Sequence, residues 1–485
     1  MKRLEFWDTT LRDAHQSLWA TRMTTPMMEP ILETMGKAGY WNLGVAGSAV
    51  FDSCIYYLAE DPWARLDLIR DRCPHQHRSV YIRSLNVLGW DLFADDVFPF
   101  TINALARHGI TLINSFDALN DVRNMAVTIK ATQDAGLHAV ASIVFSESPV
   151  HTDEHFVEKA TALVALGVEG VQIKDSGALL TPDRVRTLVP AIRAAIGDDV
   201  QLHFHPHCSS GLGPLVTLEA LPLGVDVVHT AISPLANGSS QPATEMIMRE
   251  ARNMGFEVPL DDDCLAAQAK HFEGIAKRHG KPIGQPVAYD PALYRHQVPG
   301  GMISNMVSQM EAIGIDGELP RVLEEIVRIR EELGWPIMVS PMAQFIGVQA
   351  LFNVMHGERY KVVPTEIKNY TLGWYGEIAA PIDADVFDRI SDGEEPITGR
   401  PGALMEPMLD AFRAKHGPFA SDEDMILALH YKGPLLNEWR KMRADAMEYP
   451  TPKTPTATLI KELGARPEVT YVQVSKGEDR VTYAT

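Results

Sequence analysis

His203-Phe-His205-Pro-His207 decides the fold. In an extended strand successive side chains alternate faces, so these three imidazoles point the same way. Upstream, Val171-Gln-Ile-Lys174-Asp175 has the pattern of another short buried strand with a lysine at its carboxyl end, and Leu11-Arg12-Asp13-Ala-His15-Gln16 follows a third strand with charge at its mouth. Working outward from these, strands are expected at 4–8, 40–47, 79–84, 111–117, 138–145, 170–175, 201–207 and 226–232, each followed by an amphipathic helical stretch. Eight βα units joined by right-handed crossovers close into a TIM (β/α)8 barrel, whose active site forms at the carboxyl ends of its strands. Asp13, Asp52, Arg83, Asp117, Lys174 and His207 all fall at or just beyond such ends.

After about residue 300 the alternation stops. The chain becomes mostly α-helical, with Pro/Gly loops at Val298-Pro-Gly-Gly301 and Pro396–Leu404, and ends in an alternating pattern, Val469–Val474 and Arg480–Tyr483 around Ser-Lys-Gly-Glu-Asp, that predicts a short terminal β-hairpin. Pro450–Pro455 has the composition of a linker or exposed loop. The expected division is a metal-dependent barrel domain over 1–300, a helical domain over 301–465 that completes the active-site funnel, and a hairpin over 466–485 suited to carrier docking or oligomer contact.

The chain has 485 residues and a net charge of −19, which opposes loose association with nucleic acid or anionic membrane. Its four cysteines, Cys54, Cys73, Cys208 and Cys264, form no CxxC pair. Together with the lack of an apolar signal core or of any apolar run long enough to span a bilayer, this leads us to expect a soluble cytoplasmic protein with reduced thiols.

His-x-His on one strand puts two rings about 6.6 Å apart on one face, close enough to share a divalent ion. His205 and His207 are the candidate ligands, whereas the deeper His203 is expected to be a hydrogen-bonded core residue. Asp13 could add a hard oxygen ligand, its ordinary role being a salt bridge to Arg12 or a helix cap. Lys174 is unusual, because an ammonium repels a metal. It must be depressed in pKa, paired with an acid such as Asp175, or converted to an anionic carbamate by carbon dioxide.

Asp8-Thr-Thr-Leu-Arg12-Asp13-Ala-His-Gln16-Ser-Leu-Trp-Ala-Thr-Arg22-Met resembles the opening motif of the biotin-dependent carboxyltransferases, which include pyruvate carboxylase, the oxaloacetate decarboxylase α subunit and the transcarboxylase carboxyltransferase subunit. The likeness continues through Phe51-Asp52-Ser-Cys, Glu60-Asp-Pro-Trp63, Phe116–Asn120, Ser148-Pro-Val-His151-Thr, Lys174-Asp, Ala178–Leu180, Pro299–Met306 and Gln349–Met355, nearly the whole chain. It implies a divalent metal (zinc, cobalt or manganese) on Asp13, carbamylated Lys174, His205 and His207. It further implies that Arg12, Gln16 and Arg83 hold a small 2-oxo acid such as pyruvate or oxaloacetate and its enolate. Asp52 and Trp90 would line the biotin pocket, and Ser340 would take the place of the family's proton-shuttling threonine. Lacking an Ala-Met-Lys-Met biotinylation sequence and any region the size of a biotin carboxylase, the chain is expected to act as a standalone, transcarboxylase-type subunit. Its partners would be a biotin carboxyl carrier protein, a biotin carboxylase subunit and a second copy in a homodimer or higher oligomer.

The chain also departs from the family: Ala46-Gly47-Ser48-Ala49-Val50 replaces Trp-Gly-Gly-Ala-Thr, Arg83-Ser84 replaces Arg-Gly, Gly89-Trp90 replaces Gly-Tyr, and Asn114 stands where an arginine is common. An acceptor other than pyruvate is therefore an open expectation. The alternatives are a Claisen-type synthase or lyase on a related metal barrel and a scaffold that kept the metal but lost turnover.

Overall fold

The computed structural model describes residues 2–299, 303, 306–307, 310–311, 315–448, 463, 471–476 and 479–484. Eight parallel strands, β1 (Glu5–Asp8), β2 (Asn42–Gly47), β3 (His77–Arg83), β4 (Leu112–Phe116), β5 (His138–Val144), β6 (Gly170–Asp175), β7 (Gln201–Pro206) and β8 (Val227–Thr230), close in sequence order, β8 pairing back onto β1. Every expected strand is present, and β9 (Tyr471–Lys476) pairs antiparallel with β10 (Asp479–Ala484) as the terminal hairpin. The proposed linker at 450–455 and most of the Pro299–Met306 motif lie outside the described residues.

Local chemistry sets the helix starts. Asp61 accepts from the backbone N–H groups of Trp63 and Ala64, Asp121 from Arg123, Thr152 from His155 and Thr181 from Arg184, each filling an orphan donor of a first turn. On β6, Val171 and Ile173 are buried on one face while Gln172 and Lys174 alternate onto the other, and the register Gln172↔His203, Lys174↔His205 stacks two polar layers in the barrel.

The chain divides into two compact units, Met1–His430 and Tyr431–Thr485. Within the first, helices Leu319–Glu332, Met342–His356, Thr365–Thr371 and Ala384–Ser391 share one apolar cluster with Phe116, Ala118, Leu119 and Val144 from the carboxyl ends of β4 and β5. Arg330 Nη2 also donates to Ser146 Oγ, 3.3 Å away in the loop after β5. The helices thus pack on the side of the barrel where its strands end. Among the described residues no helix is long and apolar enough to cross a membrane.

The segment after β1 is pinned by a buried arginine. Arg65 Nη2 donates to Met23 O, Nε donates to Thr25 Oγ1 at 3.0 Å, and the guanidinium pairs with Glu60. Replacing Arg65 by leucine removes its hydrogen bonds to Met23, Thr25 and Glu60, and a loss of about 3 kcal/mol in chemical denaturation is expected.

Candidate metal centre and substrate pocket

A π-helical turn, Thr10–Ala14, follows β1 and carries Arg12 and Asp13, both buried, over the strand ends. Asp13 is split between two jobs. Its Oδ1 pairs with Arg12 Nη1, and its Oδ2 faces His205 Nε2 at 3.0 Å and Lys174 Nζ at 3.8 Å. Lys174 Nζ lies 3.3 Å from His205 Nε2, which is 3.3 Å from His207 Nε2. One ligand atom each from Asp13, His205 and His207 fits within 4.8 Å. Lys174 therefore turns to Asp13; the carboxylate of Asp175 is occupied by the backbone N–H groups of Leu179 and Leu180.

The donor set fits a divalent ion. His207 Nδ1 lies 2.7 Å from Ser239 O, and Gln241 Nε2 donates toward His207 Nε2 at 3.0 Å, so the lone pair is on Nε2. Burial lowers the pKa of both rings, that of His205 to about 3, keeping them neutral and able to ligate. Burial alone would raise Asp13, but Arg12, Lys174 and His205 together hold it well below the usual carboxylate range. Burial brings Lys174 down to about 8 against the pull of Asp13. That places its free amine within reach near neutral pH, which carbamate formation requires. The Tyr81 ring supports both cations, with Arg12 Cζ 4.5 Å and Lys174 Nζ 4.6 Å from its centroid.

The second cluster surrounds Arg83. Its Nη1 donates to Gly89 O at 2.9 Å and its Nη2 to Ser48 Oγ at 3.0 Å. Trp90 lies over the guanidinium with its centroid 4.6 Å from Cζ, and Trp90 Nε1 donates to Asp52 Oδ2 at 3.1 Å. Gly47 leaves room for the first cluster, since a Cβ there would come within 3.2 Å of the Arg12 guanidinium. Buried atoms without a hydrogen-bond partner, Arg12 Nε, Gln16 Oε1 and Arg83 Nε, belong to the three residues expected to hold substrate. The structure does not bring Ser340 into hydrogen-bond contact with either cluster. Among the described residues its hydroxyl accepts from Gln344 Nε2 at 2.9 Å, and its neighbours Val339 and Met342 sit in the apolar cluster shared with the strand ends.

The departures divide into two kinds. Ser48 and Trp90 touch Arg83 directly, whereas Ser84 donates to Asp117 and Asn114 is locked inside the barrel, donating to Gln172 Oε1 and accepting from Ser142 Oγ, both at 2.6 Å. Asp117, which also accepts from the N–H groups of Leu119 and Asp121, organises its own loop. His203 is a core residue as expected, buried edge-on to Trp7. Tyr81, His229, Ser239 and Gln241 were not legible as site residues, because their contacts cross the barrel and no local spacing announces them.

A family model described as the conserved carboxylase domain matches residues 293–482. A pyruvate carboxylase subunit of Methanothermobacter thermautotrophicus is 36% identical over 487 residues, covering 99% of this chain and 84% of that protein. This chain belongs to the biotin-dependent carboxyltransferases. The 2-oxoglutarate carboxylase large subunit of Hydrogenobacter thermophilus is 33% identical to this carboxyltransferase, over 88% of the chain and 66% of the relative. The carboxyl transferase domain of Rhizobium etli pyruvate carboxylase, solved with pyruvate and biocytin, superimposes with a TM-score of 0.86 at 26% identity, over 99% of this chain and 84% of that one. The carboxyltransferase is thus an enzyme whose barrel and helical region follow the solved fold.

Proposed function

We propose that this enzyme transfers a carboxyl group between biotin, carried on a separate protein, and the enolate of a small 2-oxo acid, in the direction of carboxylation or its reverse. The observation that carries the proposal is the convergence of Asp13, His205, His207 and the depressed Lys174 amine at the strand ends, next to two buried arginines. Asp13, His205, His207 and a Lys174 carbamate would hold a divalent ion (zinc, cobalt or manganese) that supplies Lewis-acid polarisation of the acceptor's carbonyl.

The chain's own residues do the remainder. Arg12 and Arg83, fixed by Asp13, Tyr81 and Trp90 before substrate arrives, stabilise the negative charge that develops on the enolate oxygen and the acceptor carboxylate. Gln16 offers its amide to the same substrate. Ser340 gives its hydroxyl proton toward the biotin side and takes one from the carbon that becomes nucleophilic. Asp52 and Trp90, hydrogen-bonded to each other, line the biotin side. Residues 301–465 are assigned the completion of the funnel and 466–485 the docking of a carrier or second copy. Its assigned partners are a biotin carboxyl carrier protein and a biotin carboxylase subunit, and its assigned setting is the cytoplasm, as a homodimer or larger oligomer.

The acceptor follows from Arg83. Ser48, in place of a glycine, takes one N–H of Arg83 Nη2, and Trp90, in place of a tyrosine, covers the guanidinium face. A pocket so changed favours a 2-oxo acid other than pyruvate. Carboxyl exchange with a biotinylated carrier over a panel of 2-oxo acids should give one of them a kcat/KM at least tenfold above pyruvate, about 1.4 kcal/mol. A pyruvate preference removes this acceptor assignment alone, whereas metal-free protein inert toward the whole panel removes the function.

A further inference from the structure

To bind a metal through Nε2, the nitrogen it directs at the ligand cluster, His205 must carry its single proton on Nδ1, which then needs an acceptor. The atom facing it is another imidazole nitrogen: His229 Nδ1 on β8, 3.0 Å away. To accept, His229 must keep its Nδ1 lone pair and carry its own proton on Nε2, and Nε2 faces His203 Nδ1 at 3.4 Å. The other metal-side histidine is handled differently, its Nδ1 meeting a backbone carbonyl, that of Ser239. His229 is fully buried and stacked on Trp7, with ring centroids 4.3 Å apart, so its plane has little freedom.

From this chain of nitrogens we infer that His229 is a positioning residue that fixes the tautomer and orientation of His205 for metal binding, with His203 fixing His229 in turn. The inference rests on the metal-centre assignment above. A ligating histidine's other nitrogen is ordinarily bound to a carboxylate, carbonyl or water, and loss of that partner typically weakens metal affinity about 10–100-fold. Here a neutral ring does that work. It orients His205 without adding another anion beside Asp13 and the Lys174 site. No geometry involving His229 was suggested by its sequence context, His229-Thr-Ala-Ile.

The test is the zinc dissociation constant of the full chain, stripped of metal and titrated against a chromophoric chelator, with the Co2+ absorption spectrum as a second readout. His229→Phe keeps a flat ring on Trp7 but removes the acceptor, and affinity should fall about 10–100-fold with an altered Co2+ spectrum. His229→Asn places a carboxamide oxygen near the former Nδ1 and should recover most of the affinity. Equal affinity in wild type and His229→Phe, or equal loss in both variants, overturns the inference. Zinc-free wild type overturns the metal centre itself, which is a separate result. Should His229→Phe fail to fold, 15N-histidine spectra of the zinc-loaded wild type decide: Nδ1–H on His205 with Nε2–H on His229 supports the inference, and Nδ1–H on His229 overturns it.

Discussion

Lys174→Gln is expected to lose bound metal and to reduce carboxyl transfer by about 10³-fold or more, corresponding to roughly 4 kcal/mol of lost charge stabilisation. Glutamine keeps a polar group of similar length but cannot become a carbamate. The amine is already prepared for that conversion. It is buried against Asp13 at 3.8 Å and His205 at 3.3 Å, and burial takes it down to about 8. Carbon dioxide adds to the neutral amine only, so at a fixed concentration of dissolved carbon dioxide, reactivation of the depleted enzyme by carbon dioxide and metal should speed up as pH rises through about 8. It should slow below that value, where the ammonium predominates. In Lys174→Ala, the space left beside Asp13 can admit a small carboxylate, and acetate or formate should restore part of the activity. Crystals soaked in bicarbonate and metal that reveal a bare amine with no adjacent ion would end the assignment. So would a Lys174→Gln enzyme with full metal content and unchanged turnover.

The barrel was legible because a parallel sheet buried on both faces writes itself as short apolar runs, and eight such runs alternated with helical patterns up to residue 232. His205 and His207 were legible because the two-residue period of a strand is rigid. Asp13 and Lys174 were legible as candidates from their places at strand ends, while the choice of ligand roles for them came from the family likeness. Their proximity depends on closing β1 against β8 and on a π-helical turn after β1, neither of which is encoded in a local spacing. Lys174 illustrates the limit well: its sequence neighbour Asp175 was the natural partner, yet in the fold that carboxylate caps the next loop and Asp13, 161 positions earlier in the chain, takes its place. Tyr81, His229 and Gln241 are ordinary strand or loop residues until the barrel closes around them. Ser340 is the opposite case. Its context, Val339-Ser-Pro341, is that of a common loop hydroxyl, and the packing of its neighbours against the strand-end cluster is what places it on the functional side of the barrel.

Ser340→Ala should lower kcat by about 10²–10⁴-fold while leaving the acceptor's binding and the metal content close to wild type, because the hydroxyl is assigned a proton and no ligand. The local hydrogen bonding suits that role. Gln344 Nε2 donates to Ser340 Oγ at 2.9 Å, so the oxygen is held by an incoming hydrogen and its own proton stays available to move. Without the hydroxyl, neither the biotin side nor the acceptor carbon has a proton relay, and both half-reactions should slow together. Exchange of the acceptor's carbon-3 hydrogens with solvent measures one half, and biotin-stimulated decarboxylation of the carboxylated acceptor measures the other. Ser340→Thr restores a hydroxyl at the same position and should recover most of the rate, whereas Ser340→Val, similar in bulk to threonine, should not. That contrast separates proton relay from packing, because a residue needed only for shape would be served as well by valine. Gln344→Leu should fall between them, with a reduced kcat and an unchanged KM, since it removes the group that orients the oxygen but leaves the proton in place. Equal rates in Ser340→Val and Ser340→Thr would move the shuttle to another residue.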